Sequence, residues 1–367
     1  MITPHKKICV IVPTHLSAKI GGAQYQAQCV TDALVESKKY DIYFISRRTA
    51  PHYKPTGYTL INISISHKVR WGGFLLDIPS LYKTLVRIKP DYIYQRVGCT
   101  FTGVAAYFCR KHNSKMIWHV ASDSDVNINL NLQKQGIIQR IEKKFFEYGI
   151  KNTDMIVTQT KHQSDILYRD YGRHATAIIP NFHPKPRENL IKNSTKDIIW
   201  IGNIKDIKRP ELFIQLAEKL SGLTNVRFRM IGAKSDNIKW QELLEKKINA
   251  LDNIEYLGAM NHESVKGVLA CSHLLVNTSK WEGFSNTFIE AWMREVPVMT
   301  LGINPDEVFT KNRIGYCSKN LDDMEKRVRE LISNDKLRDE YANNASKYAQ
   351  KNHSISNVNK IIRLLDL

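Results

Sequence analysis

Two glutamates, Glu282 and Glu290, bracket the segment of this chain best suited to chemistry. The apolar run before them, Leu274–Asn277, and the run after them, Pro297–Thr300, both predict buried strands. The residues between the glutamates predict a loop that turns into a helix, with Ser285 as its N-cap. Two carboxylates are therefore expected at the end of a strand, one in a loop and one on a helix.

The start of this predicted helix favours an anion. Gly283 permits close approach of the backbone, and N–H groups at a helix start attract negative charge. Glu290 is expected on the same helix face as Asn286 and Thr287, with its side chain leaning toward the N-terminus. One segment thus offers amides to a diphosphate and carboxylates to hydroxyl groups. A nucleotide-diphosphate sugar needs both.

Gly-Phe follows the first glutamate, Ala follows the second, and Val296-Pro297-Val298 lies downstream. With these neighbours the segment resembles the Glu-x7-Glu signature of retaining family-4 (group-1) glycosyltransferases. The resemblance implies that Glu282 contacts the transferred sugar and that Glu290 binds the ribose. It also implies that Gly283 and the amides at the helix start hold the diphosphate. The alternative interpretation is a capped amphipathic helix with two surface glutamates.

The loop after the predicted strand Ile198–Ile201 carries the next match to that family. Lys208 occupies the position of a lysine that neutralises the donor diphosphate, whose leaving group gains negative charge in the transition state. Asn203 stands where the family usually has an arginine. Lys205 or Arg209 could supply the second cation, or a hydrogen bond from Asn203 could suffice.

Two matches fall in the first half of the chain. Gly21 and Gly22 form a loop where the family has glycines facing the donor phosphates and the acceptor. His119 closes the predicted strand Met116–Val120 and resembles an active-site histidine beside the donor sugar. We therefore expect catalytic roles for His119, Lys208 and Glu282. The expected donor-binding residues are Gly21, Gly22, Asn203, Lys208, Gly283, Phe284, Ser285, Asn286 and Glu290.

Asp123-Ser124-Asp125 offers a competing hypothesis, because it looks like the metal-binding DxD motif of the other glycosyltransferase fold, GT-A. We expect an acceptor-side loop there instead, since Lys208 and the helix-start amides already serve the diphosphate. The predicted enzyme is accordingly independent of metal. It has no cofactor, and the nucleotide-diphosphate sugar is its co-substrate.

Strands and helices alternate along the whole sequence, which predicts parallel, doubly wound sheets. The resemblance implies the GT-B fold, an α/β architecture of two Rossmann-like domains facing a central cleft. The predicted domains are an acceptor-side domain over 1–182, a donor-side domain over 183–350, and a helix over 351–367 that crosses back. The predicted strands are Ile8–Pro13, Asp41–Ile45, Asp91–Gln95, Met116–Val120, Met155–Gln159, Thr176–Ile179, Ile198–Ile201, Arg227–Ile231, Ile254–Leu257, Leu274–Asn277 and Pro297–Thr300.

Charge is distributed unevenly over the 367 residues, which carry a formal net charge of +18. Residues 1–180 hold 25 Lys+Arg against 12 Asp+Glu, and residues 181–367 hold 29 against 24. A basic half suggests an anionic partner: a nucleic acid, a membrane surface or a phosphorylated substrate. No zinc pattern, RNP-like motif or basic helix supports nucleic acid. The amphipathic stretch Ile137–Ile150 is a candidate membrane-surface helix, although an ordinary helix packed on the sheet is the favoured interpretation. The basic-aromatic stretch Val69–Leu76 is a candidate acceptor or membrane loop.

The sequence therefore predicts a retaining glycosyltransferase that moves a sugar to a saccharide or lipid-linked acceptor in surface polysaccharide or glycolipid synthesis. The alternatives are a catalytically inactive nucleotide-sugar-binding protein and a nucleic-acid-binding protein. Six scattered cysteines indicate a reducing compartment, and Met1–Lys7 is too polar for a signal peptide. We expect a cytoplasmic protein, peripheral on the inner face of the membrane.

Overall fold

The computed structural model describes residues 5–19, 21–64, 73–128, 136–188 and 190–366. The chain divides into two compact units. Unit 1 contains the described residues up to Asn181, together with the C-terminal segment from Ser356. Unit 2 contains Phe182–Ile355.

Strands and helices alternate in unit 1. Its strands are β1 (Lys6–Ile11), β2 (Tyr40–Ser46), β3 (Thr59–Asn62), β4 (Tyr92–Arg96), β5 (Lys115–His119), β6 (Met155–Thr158) and β7 (Ala177–Ile178). Its helices before Asn181 are α1 (Gly22–Ser37), α2 (Ile78–Ile88), α3 (Thr100–His112), α4 (Asp123–Val126), α5 (Ile137–Asn152) and α6 (Lys161–Tyr171).

Unit 2 repeats the alternation. Its strands are β8 (Lys196–Ile201), β9 (Val226–Ile231), β10 (Ile254–Tyr256), β11 (Leu274–Asn277), β12 (Val298–Leu301) and β13 (Gly315–Ser318). Its helices are α7 (Pro210–Lys219), α8 (Ile238–Asn249), α9 (His262–Ala270), α10 (Asn286–Trp292), α11 (Val308–Asn312), α12 (Leu321–Ser333) and α13 (Asp335–Asn352).

All described strand pairs in both sheets are parallel. The strand order is β3-β2-β1-β4-β5-β6-β7 in unit 1 and β10-β9-β8-β11-β12-β13 in unit 2. The winding direction reverses between β1 and β4 in the first sheet and between β8 and β11 in the second. In such sheets ligands bind at this reversal, outside the carboxyl ends of the strands.

Alternating strand residues show that the unit 2 sheet is covered on both faces. Ile198 and Trp200 pack in one buried cluster with residues of α7, α8 and α12. Ile199, between them in β8, packs in a second cluster with residues of α9, α10, α11 and α13. Successive side chains of a strand point to opposite faces, so the sheet lies between two helical layers. This is the predicted doubly wound architecture.

Two glycines bring α3 and α5 close together in unit 1. A Cβ atom on Gly103 would collide with the carbonyl of Phe145, and one on Gly149 would collide with the backbone of Gly103. The apolar face of α5 buries Phe146 and Ile150 against the sheet. The predicted amphipathic helix over Ile137–Ile150 is thus present and packed.

The C-terminal segment is not one continuous helix. α13 ends at Asn352, and a short 3₁₀ turn at Ile355–Asn357 precedes α14 (Val358–Leu365). α14 packs on α1 within unit 1, with Ile361, Leu364 and Leu365 buried. Their spacing places them on one face of α14, which explains the attachment.

Each predicted strand coincides with an observed one to within a few residues, but β3 and β13 were not predicted. Both lie at sheet edges. β3 is partly exposed and β13 contains Gly, Cys and Ser, so neither shows the apolar run of a central strand. Across the described ranges, no helix has both the length and the apolar character needed to cross a bilayer.

Candidate functional site

Lys208 and Glu282 meet at the carboxyl edge of the unit 2 sheet. Lys208 ends a 3₁₀ turn, Asp206–Lys208, in the loop after β8, and Glu282 lies in the loop after β11. The Lys208 ammonium group contacts Oε1 of Glu282, which also accepts a 3.1 Å hydrogen bond from Oγ of Ser279. Strands β8 and β11 flank the reversal of the sheet, where ligand binding is expected. The two side chains are 27% and 16% exposed, so a ligand can reach the pair.

A network of hydrogen bonds holds these two loops together. The Thr278 hydroxyl group lies 2.7 Å and 2.9 Å from the carbonyl oxygens of Lys208 and Arg209. The amide of Lys280 donates to the carbonyl of Ile207 at 2.8 Å. Arg209, in the left-handed region at φ 46°, donates from its guanidinium to the carbonyls of Thr278 and Ser279. These contacts fix Lys208 relative to Glu282.

The role of Asn203 is visible in the same region. Its Oδ1 accepts a 3.2 Å hydrogen bond from the amide of Ala233, which ties the loop after β8 to the loop after β9. Arg209 is engaged by backbone carbonyls, so it is poorly placed to replace the arginine that the family carries at Asn203. Lys205 is exposed in the loop and remains the candidate second cation.

The helix after Glu282 differs from expectation in two respects. α10 has seven residues, so its dipole is small, and Ser285 does not cap it with its side chain. The Ser285 hydroxyl group instead lies 2.8 Å from that of Thr287. Phe284 packs against His353 and Trp292 in the core, so only its backbone is suited to touch a donor. Ser285 is the N-cap residue of α10 as predicted, although its side chain makes no capping hydrogen bond, and Gly283 lies in the loop.

Glu290 is buried between two histidines that sequence reasoning missed. Nε2 of His262, in the first turn of α9, lies 2.7 Å from Oε1 of Glu290. Nδ1 of His183 lies 3.6 Å from the same oxygen, and its Nε2 lies 3.2 Å from Oδ1 of Asn286. Because a carboxylate only accepts, His262 donates from Nε2. The alternative interpretation of Glu290 as a surface residue is therefore wrong.

Burial and the neighbouring charged groups shift the pKa values of Glu290 and His183 in opposite directions. Burial raises the pKa of the Glu290 carboxyl group, but the hydrogen bond from His262 and nearby positive groups outweigh it, and the net pKa is lowered. Burial lowers the pKa of His183, and Glu290 only partly opposes this. An ionised Glu290 is thus held in place, able to accept hydrogen bonds from hydroxyl groups. No sequence pattern links His183 or His262 to Glu290, since both meet it only through the fold.

His119 ends β5 in unit 1 and is fully buried. Its Nδ1 lies 2.8 Å from Nη1 of Arg96 and 2.9 Å from the hydroxyl oxygen of Tyr94. Arginine only donates, so Nδ1 accepts and the neutral ring carries its proton on Nε2. Burial and the Arg96 charge hold the pKa of His119 well below its ordinary value. Among the described residues, Nε2 has no hydrogen-bond partner of good geometry, although the nearby backbone of Ile179 partly opposes the lowering of the His119 pKa.

Gly21 and Gly22 lie at the start of α1. Gly21 is the N-cap residue with extended backbone, and Gly22 is the first helical residue. A side chain on Gly21 would collide with the end of the Gln24 side chain. The structure therefore places backbone amides, without obstructing side chains, near the reversal between β1 and β4.

The two aspartates of the competing Asp123-Ser124-Asp125 motif accept hydrogen bonds within unit 1. Asp125 closes a capping box at the start of α4, and its Oδ2 accepts from the amide of Ala121 at 2.8 Å. Asp123 accepts from Nε2 of Gln163 at 2.9 Å. Burial raises the pKa of Asp125. The described residues include no group of three or more His, Cys, Asp or Glu side chains arranged to hold a metal ion. Of the predicted stretch Val69–Leu76, residues 69–72 lie outside the described residues.

Comparison with known proteins identifies the second half of the chain. Residues 181–348 match the family model for glycosyl transferases group 1. The match covers nearly all of unit 2. A poly(ribitol-phosphate) alpha-N-acetylglucosaminyltransferase from Staphylococcus aureus (strain COL) is 27% identical over 241 residues, covering 64% of this chain and 48% of the relative. The chain spans about half the length of the curated relatives it matches.

Solved structures extend the likeness to both units. Sucrose-phosphate synthase from Thermosynechococcus elongatus has a TM-score of 0.78 and 12% identity, covering 98% of each chain. HepE of Anabaena, solved with UDP and glucose, has a TM-score of 0.73 and 14% identity, covering 99% of this chain and 100% of HepE. At these identities the likeness concerns the fold alone. Together with the group 1 match, it confirms the predicted resemblance to group 1 glycosyltransferases and the GT-B fold, while the retaining mechanism stays a prediction.

Proposed function

We propose that this protein is a retaining glycosyltransferase that transfers a hexose-type sugar from a nucleotide-diphosphate sugar, without a metal ion or cofactor. The observation that carries the proposal is the contact between Lys208 and Glu282 in the group 1 unit. A partly exposed cation held against a partly exposed carboxylate at the reversal of a parallel sheet suits a sugar diphosphate. The ammonium group takes the phosphates, and the carboxylate takes sugar hydroxyl groups.

The proposed reaction is a front-face substitution. The bond between the anomeric carbon and the β-phosphate oxygen breaks, and the acceptor oxygen bonds to the same face of that carbon. The acceptor proton passes to the leaving phosphate oxygen, so no side chain is the nucleophile. Lys208 stabilises the charge that develops on the nucleoside diphosphate, and Glu282 holds the sugar. We assign the diphosphate mainly to Lys208, since α10 is short.

The remaining assignments concern binding. Glu290, ionised and held by His262, is proposed to accept hydrogen bonds from the ribose hydroxyl groups. His119 is proposed to donate from Nε2 to a hydroxyl group of the transferred sugar, which its fixed tautomer permits. Backbone groups of Gly21, Gly22 and Gly283 complete the proposed phosphate contacts. Asn286 is proposed to contact the nucleotide-sugar donor.

The acceptor is proposed to be an anionic saccharide polymer or a lipid-linked saccharide, in the synthesis of a surface polysaccharide or glycolipid. The basic first half of the chain supports an anionic acceptor. The name of the S. aureus relative supports this class, because poly(ribitol-phosphate) is a polyanion. HepE, solved with UDP, supports a uridine donor. We place the protein in the cytoplasm, peripheral on the inner face of the membrane.

Transfer from radiolabelled nucleotide sugars to an anionic glycan or lipid-linked acceptor tests the proposal. NMR of the first product should show the anomeric configuration of the donor. Inversion at the anomeric carbon would contradict the retaining mechanism. Tight binding of a nucleotide sugar without transfer to any acceptor or to water would instead support an inactive nucleotide-sugar-binding protein.

A further inference from the structure

A groove of about 620 Å³ opens between three helices of unit 1, α2, α3 and α5. We call it and its rim the α2–α3–α5 surface. Apolar atoms dominate its lining, which includes Ile78, Tyr82, Tyr107, Phe145 and Tyr148. Lys111 and Lys144 also line it. The groove is therefore apolar inside, with two cations at its walls.

The helices that form this groove also carry exposed apolar side chains, of which Tyr107 and Tyr148 line the groove itself. The described part of the chain exposes fifteen large apolar side chains, and six of them belong to these three helices or the turn before α2. The six are Leu76, Val86, Tyr107, Ile137, Ile141 and Tyr148. Clustered exposure of this kind marks an interaction surface, whereas single exposed apolar residues are ordinary.

Helix α5 shows how the surface is organised. Ile137, Ile141, Lys144 and Tyr148 follow a spacing of i, i+4, i+7 and i+11, which places them on one face. All four are exposed, and Ile137 is 77% exposed. The opposite face, with Ile150, is buried in unit 1. Helix α5 therefore packs on the core of unit 1 with one face and exposes a stripe of apolar and basic side chains on the other.

The charge of the surface selects the class of partner. Helices α2, α3 and α5 carry eight lysines and arginines but only two acidic residues, Glu142 and Glu147. Glu142 accepts from the amide of Phe74, and Glu147 lies 3.7 Å from Lys143. The surface is thus strongly basic as well as apolar. An amphipathic helix with a basic polar face and exposed apolar residues suits an anionic lipid interface.

We propose that the α2–α3–α5 surface docks on an anionic phospholipid bilayer, with an apolar lipid chain in the groove and Lys111 and Lys144 near the lipid phosphate. A nucleic acid would use the cations but not the apolar groove, and an apolar protein partner would not require the cations. This docking rests on the proposed function, because its role is to bring unit 1 to a lipid-linked acceptor. Its test does not require donor or acceptor.

Co-sedimentation with vesicles tests the proposal directly. At low salt, vesicles of phosphatidylcholine mixed with phosphatidylglycerol should retain severalfold more protein than phosphatidylcholine alone. The difference should shrink as salt rises, because screening shortens the reach of exposed charges. The double variant Lys111→Gln/Lys144→Gln should lose most of this binding. The matched control, Lys246→Gln/Lys247→Gln on exposed positions of α8 in unit 2, removes the same charge and should bind like the parent.

A second measurement separates entry of a lipid chain from surface attraction. Tyr107→Trp places a fluorophore at the groove, and lipids brominated on their acyl chains should quench it more than they quench the parent protein. The proposal is overturned if both vesicle types retain the same amount of protein, or if the two double lysine variants bind vesicles equally. It is also overturned if the brominated lipids quench Tyr107→Trp no more than they quench the parent. So would self-association of the parent that Tyr107→Ser abolishes, which would assign the surface to a second copy. Nucleotide-sugar binding by the Lys111/Lys144 variant, measured in parallel, reports on the proposed function separately.

Discussion

The two units share a doubly wound parallel sheet but distribute charge differently. Unit 1, with its C-terminal segment, holds 27 Lys+Arg against 13 Asp+Glu, whereas unit 2 holds 27 against 23. In unit 2 the important carboxylates are paired: Glu282 with Lys208, Glu290 with His262, and Asp197 with Arg227. On the α2–α3–α5 surface of unit 1, cations greatly exceed acidic groups. The same fold thus carries paired carboxylates in unit 2 and an excess of cations on one surface of unit 1.

The reversal points of the two sheets show the same contrast. In unit 1, Arg96 at the end of β4 is buried and bonded to His119 and Asn181. In unit 2, Lys208 and Glu282 are partly open to solvent. A buried cluster positions groups, while an exposed ion pair can exchange its partner for a ligand phosphate. We therefore expect the loss of a single side chain to lower activity most in unit 2.

The largest effect should come from the ion pair. Lys208→Ala and Glu282→Gln should each lower turnover by about 10²–10³, as for loss of one electrostatic contact to developing charge. Steady-state transfer kinetics measure this, with circular dichroism to verify the fold. Lys246→Ala, at an exposed position of α8 in the same unit, is the matched control and should leave turnover near that of the parent. Near-parental turnover in either pair variant would refute the site assignment.

A smaller effect is expected at Glu290. Glu290→Ala should raise the donor KM by about tenfold, since a hydrogen bond to a charged group contributes about 1.5 kcal/mol. Turnover should change little, because ribose contacts are the same in ground and transition states. An unchanged donor KM would contradict the ribose assignment. His262→Ala should show a weaker form of the same change, since it removes the group that holds the carboxylate.

The buried histidines predict a dependence of stability on pH. The pKa values of His119 and His183 lie below the ordinary value of 6.5, so as pH falls through that value the unfolded chain gains protons that the folded chain does not. Stability should therefore decrease from about pH 7 to about pH 5. Glu290, with a lowered pKa, contributes stability above about its ordinary value of 4.5 and loses it at lower pH. Calorimetric melting temperatures should fall less steeply with pH in His119→Asn than in the parent, and equal slopes would contradict this.

Removal of divalent metal ions by chelation should have the smallest effect on activity. With Lys208 serving the diphosphate, activity should survive treatment with EDTA. Asp123 and Asp125 already accept hydrogen bonds within unit 1, which supports the expectation. Loss of activity with EDTA and recovery with Mn²⁺ would restore Asp123-Ser124-Asp125 as a candidate metal site.

Local sequence patterns predicted the central strands and the loops that carry Lys208 and Glu282, because buried strands give apolar runs and strand-to-helix loops collect glycine and charge. Edge strands β3 and β13 were missed, since exposure on one side removes the apolar run. Contacts that join distant segments were also missed. His183 and His262 reach Glu290 across 107 and 28 positions, and no local pattern records such a pairing. The core position of Phe284 was missed for the same reason, as it depends on His353 and Trp292.

Donor binding tests the central claim most directly. Thermal melting of the parent protein should be measured against a panel of UDP-, GDP- and ADP-sugars, because a ligand that binds only the folded state raises the melting temperature. We predict that one nucleotide sugar raises it and that Lys208→Ala abolishes the shift, while Lys246→Ala, at an exposed position of α8, retains it. If no nucleotide sugar shifts the parent, or if Lys208→Ala responds like the parent, the assignment of the unit 2 ion pair as the donor site is contradicted.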